Sequence, residues 1–324
     1  MPLNRFTRFL AITAAVVAMA CALPVAAQAF PDKAVRLIVP FPPGGATDTL
    51  ARLMAEKLSE RWKQPVVIDN RPGGNTAIGT DLVAKSAPDG HTLGIVTVSH
   101  IINPLLTSKL PYDTSKDLAP VMLLTRFHMA LYAHPSFPAN TPKELMDLAK
   151  RDPGKVAYGS ATTASYLGME RLNLMAGARM QYIPYKGSAQ AQIDLLAGHI
   201  QLAIDPILES TLHHAKNGKL KIIGTLGAQR SELTPDIPVL ADAVPGYDFS
   251  GHFGLVTRGG TPPERVRRIR DDFVAVMKLP EVTERIRIIG QEMIGSTPDE
   301  YEALIRSEVK AWEPVVKATG ASID

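Results

Sequence analysis

The chain has 324 residues, 45% hydrophobic and 21% charged, with a formal net charge of +3. That is ordinary globular composition, with apolar material for one large or two medium cores. It carries no basic stripe interleaved with aromatics and no acidic tail, which argues against nucleic acid as a partner.

The first stretch reads as a leader rather than as part of the fold. Arg5 and Arg8 form a positive start, Phe9 to Pro24 is an apolar run, and Ala27-Gln28-Ala29 is an A-x-A cleavage site before Phe30. The apolar run is short for a membrane anchor, and no second hydrophobic span follows. The expectation is export to the periplasm with a signal peptide at residues 1–29 cleaved after Ala29. Cys21 offers a lesser alternative, lipid attachment, but Ala18 stands where such signals usually carry Leu. After cleavage no cysteine remains, so stability rests on the core alone.

Beyond the leader, short apolar runs alternate with longer segments of helical spacing. Val35–Val39 is a predicted strand, and Leu50, Leu53, Met54 and Leu58 share one helical face. Gln64 to Ile68 is the next strand, Thr76 to Lys85 a helix, and Thr92 to Val98 a third strand, nearly continuous in apolar residues from Leu93. The order resumes after residue 125 with strands at Met129–Ala133, Lys155–Gly159, Met180–Pro184, Ile200–Ile204 and Lys221–Leu226. Helices begin at Pro142 and at Ala189. This βα alternation predicts an α/β fold with largely parallel sheets and helices on both faces. Its length favours two lobes, joined by strands because no Gly/Ser-rich linker occurs.

Three helix starts share one device: Thr141-Pro142, Thr261-Pro262 and Thr297-Pro298 place Thr at N-cap, Pro at N1 and Glu at N3. The last helix sets Tyr301, Leu304, Ile305, Trp312 and Val316 on one stripe, which predicts a strap over a lobe.

Val39-Pro40-Phe41-Pro42-Pro43-Gly44-Gly45-Ala46-Thr47-Asp48 is the most informative segment, a glycine-rich loop leaving a strand and opening a helix. Ligands of open parallel sheets bind at such strand ends, and free N–H groups at a helix start favour an anion. The spacing is neither G-x-G-x-x-G nor G-x-x-x-x-G-K-[ST], so no nucleotide or other cofactor is implied. Asp48 reads equally as a ligand contact or as a favourable first-turn acid. Ser99 and His100, Ser160 to Ser165, Tyr185-Lys186-Gly187-Ser188 and Asp205 also follow predicted strands. Their hydroxyls are candidate carboxylate donors or N-caps.

The ordered segments VPFPPGGATD, NRPGGNTAIG, PDGHTL, YGS, PYKG, DLLAGHI, GTLGAQRS, PDIPVLAD and FGLVTRGGTPPERV resemble the Bug family, the solute receptors of tripartite tricarboxylate transporters. The resemblance runs from Phe30 to Gly320. It implies a two-lobe type-II periplasmic binding protein, with residues 30–125 and 251–324 in lobe one, 126–250 in lobe two, and ligand in the cleft. It further implies carboxylate contacts at Pro42, Pro43, Gly44, Gly45, Ala46, Asp48 and Ser99, and a selectivity-setting group at Ser160, Ser165, Lys186, Gly187 and Asp205. Where the family is Gly-rich with a His opening the helix, this chain reads Ala161-Thr162-Thr163-Ala164-Ser165, so a differently shaped lobe-two pocket is expected.

Enzymatic readings find little support. There is no G-x-S-x-G elbow, no thiol in the mature chain and no paired-histidine motif, since the eight histidines are scattered. The expected activity is non-enzymatic: a monomer that closes on a small organic carboxylate and passes it to membrane permease subunits. A signalling role through a sensor protein and an exported hydrolase are the alternatives. The arginines at 265, 267, 268 and 270 are a solvated face or a surface for the transporter.

Overall fold

The structure, a computed structural model, describes residues 30–185, 187–231 and 234–323. The leader, with Cys21 and the cleavage site, lies outside the described residues.

Strand β1 (Val35–Val39) is followed by α1 (Ala46–Trp62), β2 (Val66–Asn70), α2 (Ala77–Ala84), β3 (Thr92–Val96) and α3 (Val98–Leu106). β1 pairs in parallel with β2 on one side and with β3 on the other. Helix α1 buries Leu50, Met54 and Leu58, one turn apart, against Leu37 and Val39 of β1. It stops at Lys63, whose left-handed backbone (φ 55°) caps the helix.

The long strand β4 (Leu118–Ala133) organises the molecule. Its first part pairs antiparallel with β9 (Ser250–Arg258), and residues 125–127 also pair with the short β10 (Gln291–Met293). Its last five residues pair instead with β7 (Leu202–Pro206) and β8 (Lys221–Thr225). β7 leads in parallel to β5 (Ala157–Ser160), and β5 to β6 (Gln181–Pro184). The predicted parallel character holds within the β2-β1-β3 and β7-β5-β6 sets, and pairing turns antiparallel wherever β4 and β9 take part. Sequence reading recovered only Met129–Ala133 of β4. The missing part contains Pro120, two register shifts and no polar alternation, because both its faces are buried.

Helices α4 (Pro142–Arg151), α5 (Thr163–Ala176), α6 (Ser188–Leu196) and α7 (Glu209–Lys216) cover the second set of strands. Helices α8 (Pro263–Met277), α9 (Pro280–Ile288) and α10 (Pro298–Thr319) end the chain. Thr141 and Thr297 cap α4 and α10 as expected, each accepting from the amide three residues on. Position 261 differs: α8 starts one residue later, at Pro263, and the Thr261 hydroxyl donates to the Arg258 carbonyl at 2.7 Å. Helix α10 straps more than one lobe. Tyr301 joins the core of β3, β4 and β9, whereas Trp312, Val315 and Val316 lie in the core of β5, β7 and α5. Val98, Ile101 and Ile102 of α3 are buried in that same core. Two helices therefore tie the two sets of strands together beside the crossing strands.

Candidate ligand-binding site

The loop after β1 is braced from beneath. Pro42, Pro43, Gly44, Gly45 and Ala46 are exposed, whereas Asp48 is 2% exposed. One Asp48 oxygen accepts from the Gly44 amide (2.9 Å) and from Arg52 Nε (2.8 Å), and the other from Asn70 Nδ2 (2.9 Å). Asn70, at the end of β2, also donates to the Phe41 carbonyl at 3.0 Å. The Arg52 bond, helped by the Gly44 amide and Asn70 and opposed by burial, holds the Asp48 carboxyl at about 2. It is ionised throughout the physiological range, and its acceptors are committed to the loop's own donors.

Gly45 is the N-cap of α1 and has no side chain to accept from the first-turn amides. The helix thus begins with uncapped N–H groups beneath an exposed turn, the arrangement that favours an anion. Gly44 has φ 91°, and a Cβ there would meet nothing within 4 Å. A side chain at that position would strain the backbone and stand in the open space before the turn.

Strand β2 ends in a second unusual loop. Gly73, Gly74, Asn75 and Thr76 all have positive φ, the last two without being glycine. Strain of this kind is held in place by partners. Asn75 Nδ2 donates to Asn103 Oδ1 at 2.6 Å, Asn103 Nδ2 to the Asn75 carbonyl at 2.8 Å, and Ser99 Oγ to Asn75 Oδ1 at 3.4 Å. Ser99 is thereby tied to the second loop. Its amide is taken by Thr97, the N-cap of α3. Neighbouring His100 is buried, which pushes its imidazole down to about 4 and keeps it neutral.

The other set of strands offers a matching group. Ser160 ends β5 and is 1% exposed, and its carbonyl accepts from the Tyr185 amide (3.0 Å) and the Tyr182 hydroxyl (3.3 Å). Thr162 caps α5 by accepting from the Ser165 amide, and its hydroxyl donates to Ser165 Oγ at 2.8 Å. The unusual Ala161–Ser165 stretch is therefore a linked hydroxyl group in which Thr162, not Ser160 or Ser165, is the cap. Gly187 is the N-cap of α6, again with no side-chain cap. Asp205 near the end of β7 is pushed up to about 6 by burial, partly countered by a hydrogen bond from Ser188. Lys186 lies outside the described residues.

The expected residues thus gather as two groups at strand ends, one after β1, β2 and β3 and one after β5, β6 and β7. Helix α3, which starts at the first group, packs in one core with α5, which starts at the second. Asp48 is a brace rather than an exposed acceptor. Sequence reading did not single out Asn70, Asn75 or Tyr182, and it included Thr162 in the Ser160–Ser165 stretch without naming it as the cap. Only the succession Gly-Gly-Asn-Thr, rich in residues that tolerate positive φ, marked the strained turn beforehand. Of the four arginines at 265–270, three are used by the fold: Arg265 donates to the Asp89 carbonyl, Arg268 to Asp272, and Arg270 to the carbonyls of Gly295 and Ser296.

Comparison with known proteins gives a consistent picture. The family model described as tripartite tricarboxylate transporter family receptor matches residues 50–321. BugT of Bordetella pertussis is 33% identical over 323 residues, spanning 98% of this chain and 99% of its own length. Among solved structures, Rpa4515 of R. palustris, with adipate, has a TM-score of 0.77 at 32% identity, covering 90% of this chain and 99% of that one. MatC from Rhodopseudomonas palustris, with bound malate, has a TM-score of 0.73 at 28% identity, covering 89% and 100%. The two-lobe α/β fold is that of the periplasmic binding proteins of this group. The chain belongs to the tripartite tricarboxylate transporter receptor family, a family of substrate-binding receptors rather than enzymes.

Proposed function

We propose that this receptor binds a small organic dicarboxylate between its two groups of strand-end loops and, closed around it, delivers it to the membrane subunits of a tripartite transporter. The observation that carries the reading is the pair of helices that start at glycine. Gly45 opens α1 and Gly187 opens α6, one from each set of strands, both without a side-chain cap. Each leaves first-turn N–H groups and the positive end of a helix dipole for one carboxylate. The adipate and malate held by the two Rhodopseudomonas palustris proteins are both dicarboxylates, which supports the same class here.

In this reading lobe one comprises residues 30–125 and 251–324, and lobe two residues 126–250. The ligand is gripped by Gly44, Gly45 and Ala46 with Ser99 from one side, and by Ser160, Ser165, Lys186, Gly187 and Asp205 from the other. The hinge is the stretch where β4 and β9 cross from one lobe to the other, residues 125–128 paired with 250–253. Closure is driven by the ligand's better contacts in the closed form, and the membrane partner reads that form. Export with loss of residues 1–29 fits this role.

Calorimetric titration with malate and adipate tests the proposal. Saturable binding is expected for at least one of them, with Gly44→Leu losing it by more than about a hundredfold through backbone strain and steric blockage. Absence of binding by any C4 to C6 dicarboxylate, or full affinity in the Gly44→Leu protein, overturns it.

A further inference from the structure

A sizeable cavity lies apart from the strand-end loops. That cavity, of about 940 Å³, lies between α3, the segment 107–120 and the outward face of α10. It shares only helix α3 with the groups described above. Its size is that of a small-molecule site, since such pockets run to roughly 300–1,000 Å³. Ile101, Leu110, Leu118, Val256, Ile305 and Val309 give it an apolar lining.

The polar groups at its walls fall into two kinds. The acids are already engaged: Asp117 accepts from Arg258 (2.8 Å) and the Asp113 amide (2.8 Å), and Asp113 from Ser115 (2.7 Å). Glu302 is paired with Arg306 one turn along α10. Two polar atoms lack partners among the described residues although buried: His100 Nδ1, on a side chain 2% exposed, and Thr114 Oγ1. Lys310, one turn beyond Arg306 on the same helix face, forms no ion pair among the described residues. The uncommitted groups are therefore one cation at the rim and two hydrogen-bonding atoms in the walls, around an apolar interior.

We propose that this cavity is a second ligand site, selective for an anion with an apolar body such as a medium-chain monocarboxylate. The apolar body lies along Ile305 and Val309, and the carboxylate reaches Lys310. The site is independent of the dicarboxylate reading and stands or falls separately.

Calorimetric titration of the whole protein with octanoate is the test. One octanoate is expected to bind, with affinity unchanged by excess malate. Lys310→Glu replaces attraction by repulsion and should weaken binding by about tenfold. Ser108→Trp, at an exposed rim position, should abolish it; both changes lie on the surface, and native melting confirms their fold. No saturable octanoate binding, displacement of octanoate by malate, or full affinity in both variants overturns the proposal.

Discussion

Asp48 shows how one buried side chain can brace an exposed loop from beneath. Its carboxylate closes a ring of donors from Gly44, Arg52 and Asn70 and so fixes the turn that presents the first amides of α1. A carboxyl depressed to about 2 in the fold contributes stability that is complete above its unfolded value near 4. That contribution is lost as pH falls from 4 towards 2. Arg52 is half exposed, so solvent screening limits the gain to the order of 1–2 kcal/mol. Asp48→Asn should lower the melting temperature at pH 7, have a markedly smaller effect at pH 2.5, and weaken dicarboxylate binding about tenfold by releasing the loop. A variant that melts like the parent at pH 7 would show that the ring is idle.

At the scale of elements, the crossing strand β9 and the strap α10 are fitted to one another at a single glycine. A Cβ on Gly254 would lie 1.8 Å from the Tyr301 hydroxyl and 2.3 Å from its ring carbon Cζ. Tyr301 is fully buried, and its hydroxyl has no partner among the described residues. Gly254→Ala must therefore push α10 away from the sheet, at about 3 kcal/mol by the usual cost of overpacking. Tyr301→Phe removes an unsatisfied hydroxyl and is expected to be neutral or slightly stabilising. Combined with Gly254→Ala it should recover part of the loss. Denaturant melts of the three proteins check this, and equal losses with and without the hydroxyl would place the clash elsewhere. From Tyr301, α10 continues to Trp312 and so spans both cores.

For the whole molecule, two buried histidines and two half-buried acids set the response to pH in opposing pairs. Burial lowers His100 to about 4, and burial with Arg126 and His100 lowers His252 to about 3, so both stay neutral in the fold and lose stability as pH falls below 6.5. Burial raises Asp205 to about 6 and Glu308 to about 7, so the fold takes up their protons before the unfolded chain does, gaining stability as pH falls. Between pH 7 and 5 the two histidines and two acids nearly cancel. Melting temperature should therefore stay flat over that window and drop below about pH 4, where Asp48 and other paired carboxylates are protonated. The double variant Asp205→Asn with Glu308→Gln removes one side of the balance. It should lose about 2 kcal/mol per pH unit on acidification from 6.5 to 5. A steep slope in the parent over the same range would contradict the cancellation.

The sequence by itself determined whatever is written within about ten residues. The βα alternation, the Thr-Pro starts of α4 and α10, and the glycine-rich turn after β1 all come from local periodicity, capping and φ preference. Tertiary structure decided what depends on partners far along the chain. Asp48 became a brace only when β2 brought Asn70 beside it, and β4 became a crossing strand only when β9 and β10 paired with its apolar first half. Trp312 and Ile101 entered the core of β5 and β7 because α3 and α10 lie across the junction between the two sets of strands. Such pairings leave no periodic trace in either partner, since a buried residue looks the same in sequence whichever neighbour buries it.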